Sequence, residues 1–407
     1  MGLLHSRRAL FSGHVHLANS IKRIAWMRTV RWLGWGFGEA LIPLFIFRFS
    51  QSYAEAGAFR AAYDIALLLA LPVIGRLADR IPAKSLILFA LALYPLVGIS
   101  YFLAGAFGIG VFIIFARVIN GVTWGVEDMA VDTYYRRVAQ RRNLGSSFGY
   151  IDTWSNFGWI VAAFLGMLLV PYVSIHYLLL IVTPTSLIAL WIALRIPRDS
   201  VARPKKFRFA FFASYKKLWD EWRSWDRHLW LLCILVLFTG LIEALMWFFI
   251  PIDAYVEGAA PALVVLLTIT ATIPSLFGYA LGKIADHENK HRLVAFGLAI
   301  VAVVVLGLAA FPSYAFKLAA SFFLGILLEQ FSVIQRSLVT TLGSASLYGQ
   351  RGGAFASVAT IGGLIGPLVL GFALDGFGFS GLTIGIAGAA LLLAFVFGFW
   401  PHGQKRS

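Results

Sequence analysis

Charged residues and cysteine are scarce in this chain of 407 residues. Asp, Glu, Lys and Arg together make up only 13% of it, whereas hydrophobic residues make up 60%. A soluble domain of this size needs more surface charge to stay dispersed, so the composition excludes an ordinary soluble protein. The one cysteine, Cys233, lies in an apolar run, and this excludes an intramolecular disulfide.

Motifs of nucleotide-driven machines and of enzymes are also missing. The chain has no G-x-x-x-x-G-K-[ST] loop, so we do not expect ATP-driven transport from this chain alone. No coherent set of nucleophiles or metal ligands occurs, and we interpret His14 and His16 as ordinary tail residues. We therefore expect neither an enzyme nor a bound metal or cofactor. Arg7 and Arg8 are not followed by the apolar core of a signal peptide.

The hydrophobic residues form twelve runs, each near the roughly 20 residues that a helix needs to cross a bilayer. The first six are predicted at 26–49, 57–75, 84–105, 109–136, 145–170 and 174–195. The other six are predicted at 229–251, 261–282, 291–311, 315–341, 353–375 and 379–400. The pattern predicts an all-α integral membrane protein of two six-helix bundles. They cover residues 1–195, with a short cytoplasmic tail, and 229–407, joined by a basic, Trp-containing loop at 196–228.

The net charge of +15 lies mainly in short connectors between apolar runs. Nearly all Lys and Arg residues fall on alternate connectors, on the side of the N-terminus. The exceptions are Arg31, Arg48, Arg60, Arg117 and Lys317. This bias places both termini in the cytoplasm, in a plasma membrane such as the bacterial inner membrane. Because the charge faces the membrane surface, we do not expect a nucleic-acid partner.

The two halves of the chain repeat short patterns. Gly75-Arg-Leu-Ala-Asp79 recurs 207 residues later as Gly282-Lys-Ile-Ala-Asp286. Gly145-Ser-Ser-Phe148 is echoed by Gly352-Gly-Ala-Phe355 at the same offset, and Glu39-Ala-Leu by Glu243-Ala-Leu at 204 residues. Equivalent positions at nearly one offset indicate duplication, which is an architecture of secondary transporters with a site near the bilayer midplane.

The connector between segments 2 and 3 carries the most specific pattern. Gly75-Arg-Leu-Ala-Asp79-Arg80-Ile-Pro-Ala-Lys84 resembles the signature loop G-x-L-A-D-R-x-G-R-K of the major facilitator superfamily, with Pro82 and Ala83 departing from it. The resemblance spans about 24–400 and implies a carrier fold that works by alternating access. We expect a monomer, because each half of the chain already buries the other. It also implies that Gly75, Asp79, Arg80 and Lys84 gate the carrier.

In the family this loop latches the outward-open state against the start of segment 11, here Gln350-Arg351-Gly352-Gly353. Asp132 lies near Arg136 and Arg137 at the inner mouth of the predicted carrier. These charges either form an ion-pair latch that reaches Arg351 or are simply solvated, and both interpretations stay open.

A second pattern is similar to the drug–proton antiporter branch of that family. Arg117-Val-Ile-Asn120-Gly121 resembles the branch's R-x-x-Q-G in segment 4, with Asn for Gln. The G-x-x-x-G-P pattern typical of segment 5 is absent there, whereas a related run, Gly362-Gly-Leu-Ile-Gly366-Pro367, lies in segment 11.

Polar residues within the apolar segments are the candidate site, because charges at bilayer depth are unfavourable and face a cavity or a partner. The helical spacing of segment 4 puts Arg117, Asn120, Trp124, Asp128 and Asp132 on one face, with Glu127 at its edge. Segments 1, 4, 7 and 10 line the cavity in the resembling family, and each carries an acid here. The remaining candidates are Glu39, Glu243, Trp247 and Glu329.

We hypothesise that Glu39 or Asp128 takes up and releases a coupling proton. Arg117 either works in this exchange or makes a permanent ion pair that fixes helix packing. Arg60 and Asp64, spaced i, i+4, are expected to form an intrahelical ion pair rather than a site.

The sequence thus predicts a secondary transporter that moves a small organic solute, with proton coupling and export favoured. Two alternatives stay open. One is a metabolite importer or uniporter, and the other is a non-transporting scaffold or sensor on the carrier fold. Deep tryptophans beside buried acids favour a lipophilic or cationic solute.

Overall fold

The computed structural model describes residues 19–138, 144–199, 227–277, 289–341 and 348–399, with a few positions between 216 and 225. All regular elements in these ranges are helical. Each predicted segment overlaps a described helix, and we number the helices α1 to α12 to match the segments.

The first six helices run from Asn19 to Leu194. They are α1 (Asn19–Gly36, a 3-10 turn Glu39–Leu41 and Ile42–Phe47), α2 (Tyr53–Arg80), α3 (Ala83–Phe107), α4 (Val111–Val138), α5 (Leu144–Leu169) and α6 (Ile175–Leu180 and Val182–Leu194). Helix α1 packs on α5 and α6, while α3 packs on α4 and α6 and α2 on α4. We call these helices the N-set.

The remaining helices form the C-set. They are α7 (Arg227–Ala244, a π turn Leu245–Phe249 and Ile250–Val256), α8 (Pro261–Thr272 and a 3-10 turn Ile273–Phe277), α9 (Lys290–Ala310), α10 (Tyr314–Thr341), and α11 and α12, the parts of Tyr348–Phe399 before and after Gly378. Gly378 has a φ of 68°, which favours glycine and breaks the helix there.

Eight helical stretches are long and apolar enough to cross a membrane. One of them, Phe355–Phe399, has 45 residues, enough for two crossings around Gly378. The apolar parts of α5 and α8 are shorter, and α4 has 28 residues but carries six charges. The helices confirm an all-α membrane protein, and a full count of twelve crossings stays a prediction at α4, α5 and α8.

The two sets meet where α2 packs against α11 and α5 against α8. Gly57 of α2 touches the backbone of α11 so closely that a Cβ there would overlap the carbonyl oxygen of Pro367. Small residues permit this approach of two membrane helices. Helix α1 also touches α7 and α8, and α1, α4, α7 and α10 all border the space between the sets.

Candidate functional site

A cavity of about 470 Å³ lies between the N-set and the C-set. Helices α1, α2, α4 and α5 line one side, and α7, α8, α10 and α11 line the other. Its charged lining residues are Glu39, Arg60, Arg117, Glu243 and Glu329. Its aromatic lining residues are Trp32, Trp35, Tyr63, Trp124, Trp159, Trp247 and Phe248. A cavity of this size and mixed lining suits one small organic molecule.

Most of the predicted cavity residues do line this space. They are Glu39, Arg117, Asn120, Trp124, Glu243, Trp247 and Glu329. Asp128 is not part of the lining. The sequence analysis missed Trp32 and Tyr63, whose positions at the cavity depend on helix packing. Among the described residues, no cluster of three or more His, Cys, Asp or Glu side chains could hold a metal ion.

Glu39 lies at a break in α1. The first part of α1 ends at Gly36, and Glu39 begins the 3-10 turn. Gly36 packs so tightly on α5 that a Cβ would overlap the carbonyl oxygen of Trp159, and the Trp159 Nε1 donates a hydrogen bond of 2.6 Å to Glu39 Oε2. The sequence thereby places a carboxylate, held by one donor, at the cavity wall.

Glu243 and Trp247 lie at an irregular region of α7 that corresponds to the break in α1 at Glu39. Glu243 comes just before the π turn Leu245–Phe249, which contains Trp247, and such turns often occur at functional sites. Glu243 is exposed to the cavity. Among the described residues it makes no ion pair within 4.0 Å.

Arg117 and Asn120 lie one turn apart on α4 and are both about 95% buried, with 5% of each exposed. The Arg117 guanidinium lies 4.8 Å from the Tyr63 ring centre and donates a long hydrogen bond of 3.4 Å to the Arg60 carbonyl. In the part of the chain that the structure describes, no carboxylate lies within 4.0 Å of it. The alternative of a permanent ion pair for Arg117 thus finds no partner there.

Arg60 is paired within its own helix, as the spacing predicted. Its Nη1 lies 2.6 Å from the Asp64 carboxylate, and both residues belong to α2. Because Arg60 also lines the cavity, this pair presents a nearly neutral surface to it.

Asp128 belongs to a second cluster of charges behind the cavity wall. Its carboxylate, half exposed, lies 3.0 Å from Arg28 of α1. The neighbouring Glu127 is 1% exposed and lies 2.7 Å from Arg31, which is equally buried. The Arg31 guanidinium is 5.0 Å from the ring centres of Trp32, Tyr94 and Trp124, so it supports two tryptophans of the lining from behind.

The predicted signature loop is held by a residue that the sequence analysis overlooked. Asp199, just after α6, accepts hydrogen bonds from the backbone N–H of Ala83 (2.9 Å) and Lys84 (3.1 Å) at the start of α3. Its carboxylate also lies 2.6 Å from Arg137 of α4. We call this region the Asp199 end of the molecule.

The predicted gating residues are only partly visible. Gly75 and Arg80 lie in the last turns of α2, Asp132 lies on α4, and the Lys84 Nζ donates to the Leu194 carbonyl at 2.8 Å. The side chains of Asp79 and Arg351 lie outside the described residues, and so does the contact expected between the signature loop and the start of segment 11. Arg137, expected near Asp132, pairs with Asp199.

Asp199 allows a prediction about pH. Burial raises the pKa of its carboxyl, but the donors at Ala83, Arg137 and Lys84 outweigh this and hold the pKa below its usual value of 3.8. The ionised Asp199 carboxylate therefore contributes its full stabilisation to the folded protein above about pH 4, and this contribution is lost as the pH falls further. Asp199→Asn is expected to reduce stability at neutral pH by about 1–3 kcal/mol.

The measurement is the thermal unfolding midpoint of both proteins in detergent across a pH series. The difference between wild type and Asp199→Asn is expected to stay constant down to about pH 4 and then to shrink. A difference that persists unchanged in stronger acid contradicts this role of the ionised carboxylate.

The opposite end of the molecule, which we call the Asp375 end, joins the two sets. The Asp375 carboxylate of α11 accepts hydrogen bonds from the N–H groups of Tyr53 (3.0 Å) and Ala54 (2.9 Å), at the start of α2. Arg48 of α1 lies over the Tyr255 ring of α7 at 5.9 Å. These contacts join the N-set to the C-set at this end.

Lys317, an exception to the charge pattern, lies near the Asp375 end within the C-set. It is fully buried, 2.6 Å from Asp253 and also in contact with Glu257. Two carboxylates explain how this lysine is accommodated on an apolar helix.

Comparisons with known proteins agree with this architecture. Solved structures with similar folds include the nucleoside transporter NupG (16% identity, TM-score 0.74, covering 94% of this chain and 98% of that one). A D-xylose–proton symporter is 15% identical, with a TM-score of 0.70 and coverage of 93% and 97%. A POT family transporter in complex with a thioalcohol-conjugated peptide is 13% identical, with a TM-score of 0.78 and coverage of 94% and 96%.

No curated protein sequence matches the chain significantly. The family model described as Major Facilitator Superfamily matches residues 24–367, which is most of the chain. Together with the helical membrane fold and the cavity between its two sets, this match identifies the chain as a transporter that belongs to the major facilitator superfamily.

Proposed function

We propose that this transporter is a proton-coupled carrier that exports a small organic solute by alternating access. The observation that carries the proposal is Glu39, a carboxylate at the break in α1 that lines the cavity between the two sets. Residues 1–195 and 229–407 would move as two bundles joined by 196–228, with both termini in the cytoplasm of a plasma membrane, as a monomer.

Glu39 is a better candidate for the coupling proton than Asp128. Glu39 lines the cavity, where solute and proton can affect each other, and it is near enough to Arg31, Arg117 and Arg60 to interact electrostatically with them. Asp128 lies outside the lining and is paired with Arg28. Burial favours the protonated form of a carboxylate and nearby arginines favour the ionised form, so small movements shift the balance.

The acidic lining supports export. Glu39, Glu243 and Glu329 face the cavity, while Arg60 is offset by Asp64. A cationic group of the solute and a proton therefore compete for the same carboxylates, and competition of this kind exchanges one for the other. The solved carriers of similar fold are named for nucleosides, xylose and peptides, which supports a small organic solute without naming one.

Uptake of a solute together with a proton is the second candidate. The observation that favours it is Arg117, which acts electrostatically on Glu39 and has no carboxylate within 4.0 Å among the described residues. An anionic group bound at Arg117 would weaken the electrostatic stabilisation that Arg117 gives to ionised Glu39, so Glu39 would bind a proton more readily. Solute and proton would then bind together and move in the same direction.

The test uses inside-out vesicles with an acidic lumen and follows lumenal pH while lipophilic cations, organic anions and sugars are added. Export by exchange predicts that a solute raises lumenal pH with wild type and not with Glu39→Gln. Asp128→Asn, an acid outside the cavity, is the matched control and is expected to respond like wild type. Acidification of the lumen by a solute supports the second candidate, and solute uptake without proton movement contradicts both.

A further inference from the structure

Arg117 carries a buried positive charge that has no carboxylate within 4.0 Å among the described residues. It lines the cavity with 5% of its surface exposed, and its Nε makes no hydrogen bond. Arg117 contacts the Tyr63 ring and the Arg60 carbonyl, and it also interacts with the hydroxyl of Tyr101. A buried guanidinium without an acid partner is unfavourable unless something else supplies the negative charge.

Neighbouring polar atoms on the same wall are also unsatisfied. The Asn120 Oδ1, one turn from Arg117, and the indole Nε1 of Trp35 are buried without a hydrogen-bond partner, and both residues line the cavity. Buried polar atoms in proteins are nearly always paired, so a cluster of unpaired ones at a cavity points to a ligand or water. The donors among them, the Arg117 Nε and the Trp35 Nε1, suit a planar anion such as a carboxylate, whereas the Asn120 Oδ1 can only accept a hydrogen bond.

The opposite wall carries a negative charge that is also without an ion-pair partner in the described ranges. Glu243 of α7 is exposed to the cavity, and Trp247 lines the same wall one turn further along. A carboxylate beside an aromatic ring suits an ammonium group, which gains both an ion pair and a cation–π contact. Arg60 does not satisfy Glu243, because its guanidinium is bound to Asp64.

From this separation of charge we infer that the solute carries a cationic and an anionic group on one small apolar body, with its carboxylate at Arg117 and its ammonium at Glu243. The inference rests on the proposed function only in placing the solute in this cavity, and it holds for either transport direction. A solute with only a positive charge leaves Arg117 without an ion pair within 4.0 Å, and one with only a negative charge leaves Glu243 without one.

The test measures binding to the purified protein by titration calorimetry, using two sets of compounds matched in their apolar body. One set is phenylalanine, phenethylamine and 3-phenylpropionate, and the other is leucine, isopentylamine and 4-methylpentanoate. The compound with both charges is expected to bind at least about tenfold more tightly than either singly charged analogue, because each charge-assisted contact contributes about that factor.

Two variants assign each charge to its wall. Arg117→Gln is expected to remove the advantage of the amino acid over the amine and to leave amine binding unchanged. Glu243→Gln is expected to remove the tighter binding of the amino acid relative to the carboxylic acid analogue and to leave binding of that analogue unchanged. Arg292→Gln, which removes an exposed guanidinium at the start of α9 outside the cavity lining, is the matched control and is expected to bind like wild type.

Three results overturn the inference. They are equal binding of amine and amino acid to wild type, an equal loss of both in Arg117→Gln, and binding of none of the six compounds. Proton exchange with some other solute in vesicles would still support the proposed function after any of these results, so the two failures are distinguishable.

Discussion

Glu127→Gln is expected to destabilise the folded protein by about 3–5 kcal/mol, because it leaves a buried arginine without its counter-ion. Arg31 is 1% exposed, its nearest acid is Glu127 at 2.7 Å, and three aromatic rings enclose it. No other acid of the described residues lies within 4.0 Å of Arg31. The measurement is the thermal unfolding midpoint in detergent, monitored with size-exclusion chromatography.

Asp128→Asn is the matched control, since it makes the same chemical change at the next residue. That carboxylate is 52% exposed, and its partner Arg28 keeps a second acid, Glu127, at 3.7 Å, so its loss is expected to change stability by about 0–1 kcal/mol. Replacing both Arg31 and Glu127 with methionine is expected to recover most of the stability lost in the single variant. Equal effects of the two single variants contradict the assignment of Glu127 as the buried partner.

The length and spacing of the apolar runs were enough to predict where the helices lie. Apolar runs of membrane length correspond to described helices from α1 to α12, and the resemblance carried by the loop from Gly75 to Lys84 is confirmed by the family match. Helical spacing also brought Arg117, Asn120 and Trp124 to one cavity wall. These features depend on local periodicity, which a sequence displays directly.

Contacts between distant elements could not be predicted in the same way. Glu127 and Asp128 are adjacent on α4, and spacing alone favoured Asp128 for the inward stripe. The packing of α1 against α4 reverses this, because Arg31 reaches Glu127 and Arg28 reaches Asp128. Asp199 and Asp375 bind the N-termini of α3 and α2, far away in sequence, so no local pattern marks them.

The contact at Asp375 has to break if the cavity is to open at that end. Its carboxylate accepts hydrogen bonds from the first N–H groups of α2, where the helix dipole also favours a negative charge. Because α2 belongs to the N-set and α11 to the C-set, this contact stabilises the arrangement closed at the Asp375 end. A carrier that alternates its access must separate the two helices there.

Asp375→Asn is therefore expected to weaken the closed arrangement by about 1 kcal/mol, which shifts the ratio of open to closed states about fivefold. The probe is Ala244→Cys, a cavity position, in a Cys233→Ala background. A membrane-impermeant maleimide added from the side of the Asp375 end should label the variant about fivefold faster, in proportion to that shift. Labelling from the opposite side is not expected to increase.

Glu55→Gln is the matched control, because Glu55 lies in the same first turn of α2 and accepts a hydrogen bond from the nearby Gln51 N–H, at 2.6 Å, within the N-set. It is expected to label at the wild-type rate. Faster labelling from both sides in Asp375→Asn would indicate general loosening of the fold. An unchanged rate would mean that the tight packing of Gly57 and Gly371 along α2 and α11 closes this end without help from the carboxylate. Faster labelling from one side alone would identify Asp375 as the charge that keeps the cavity shut there.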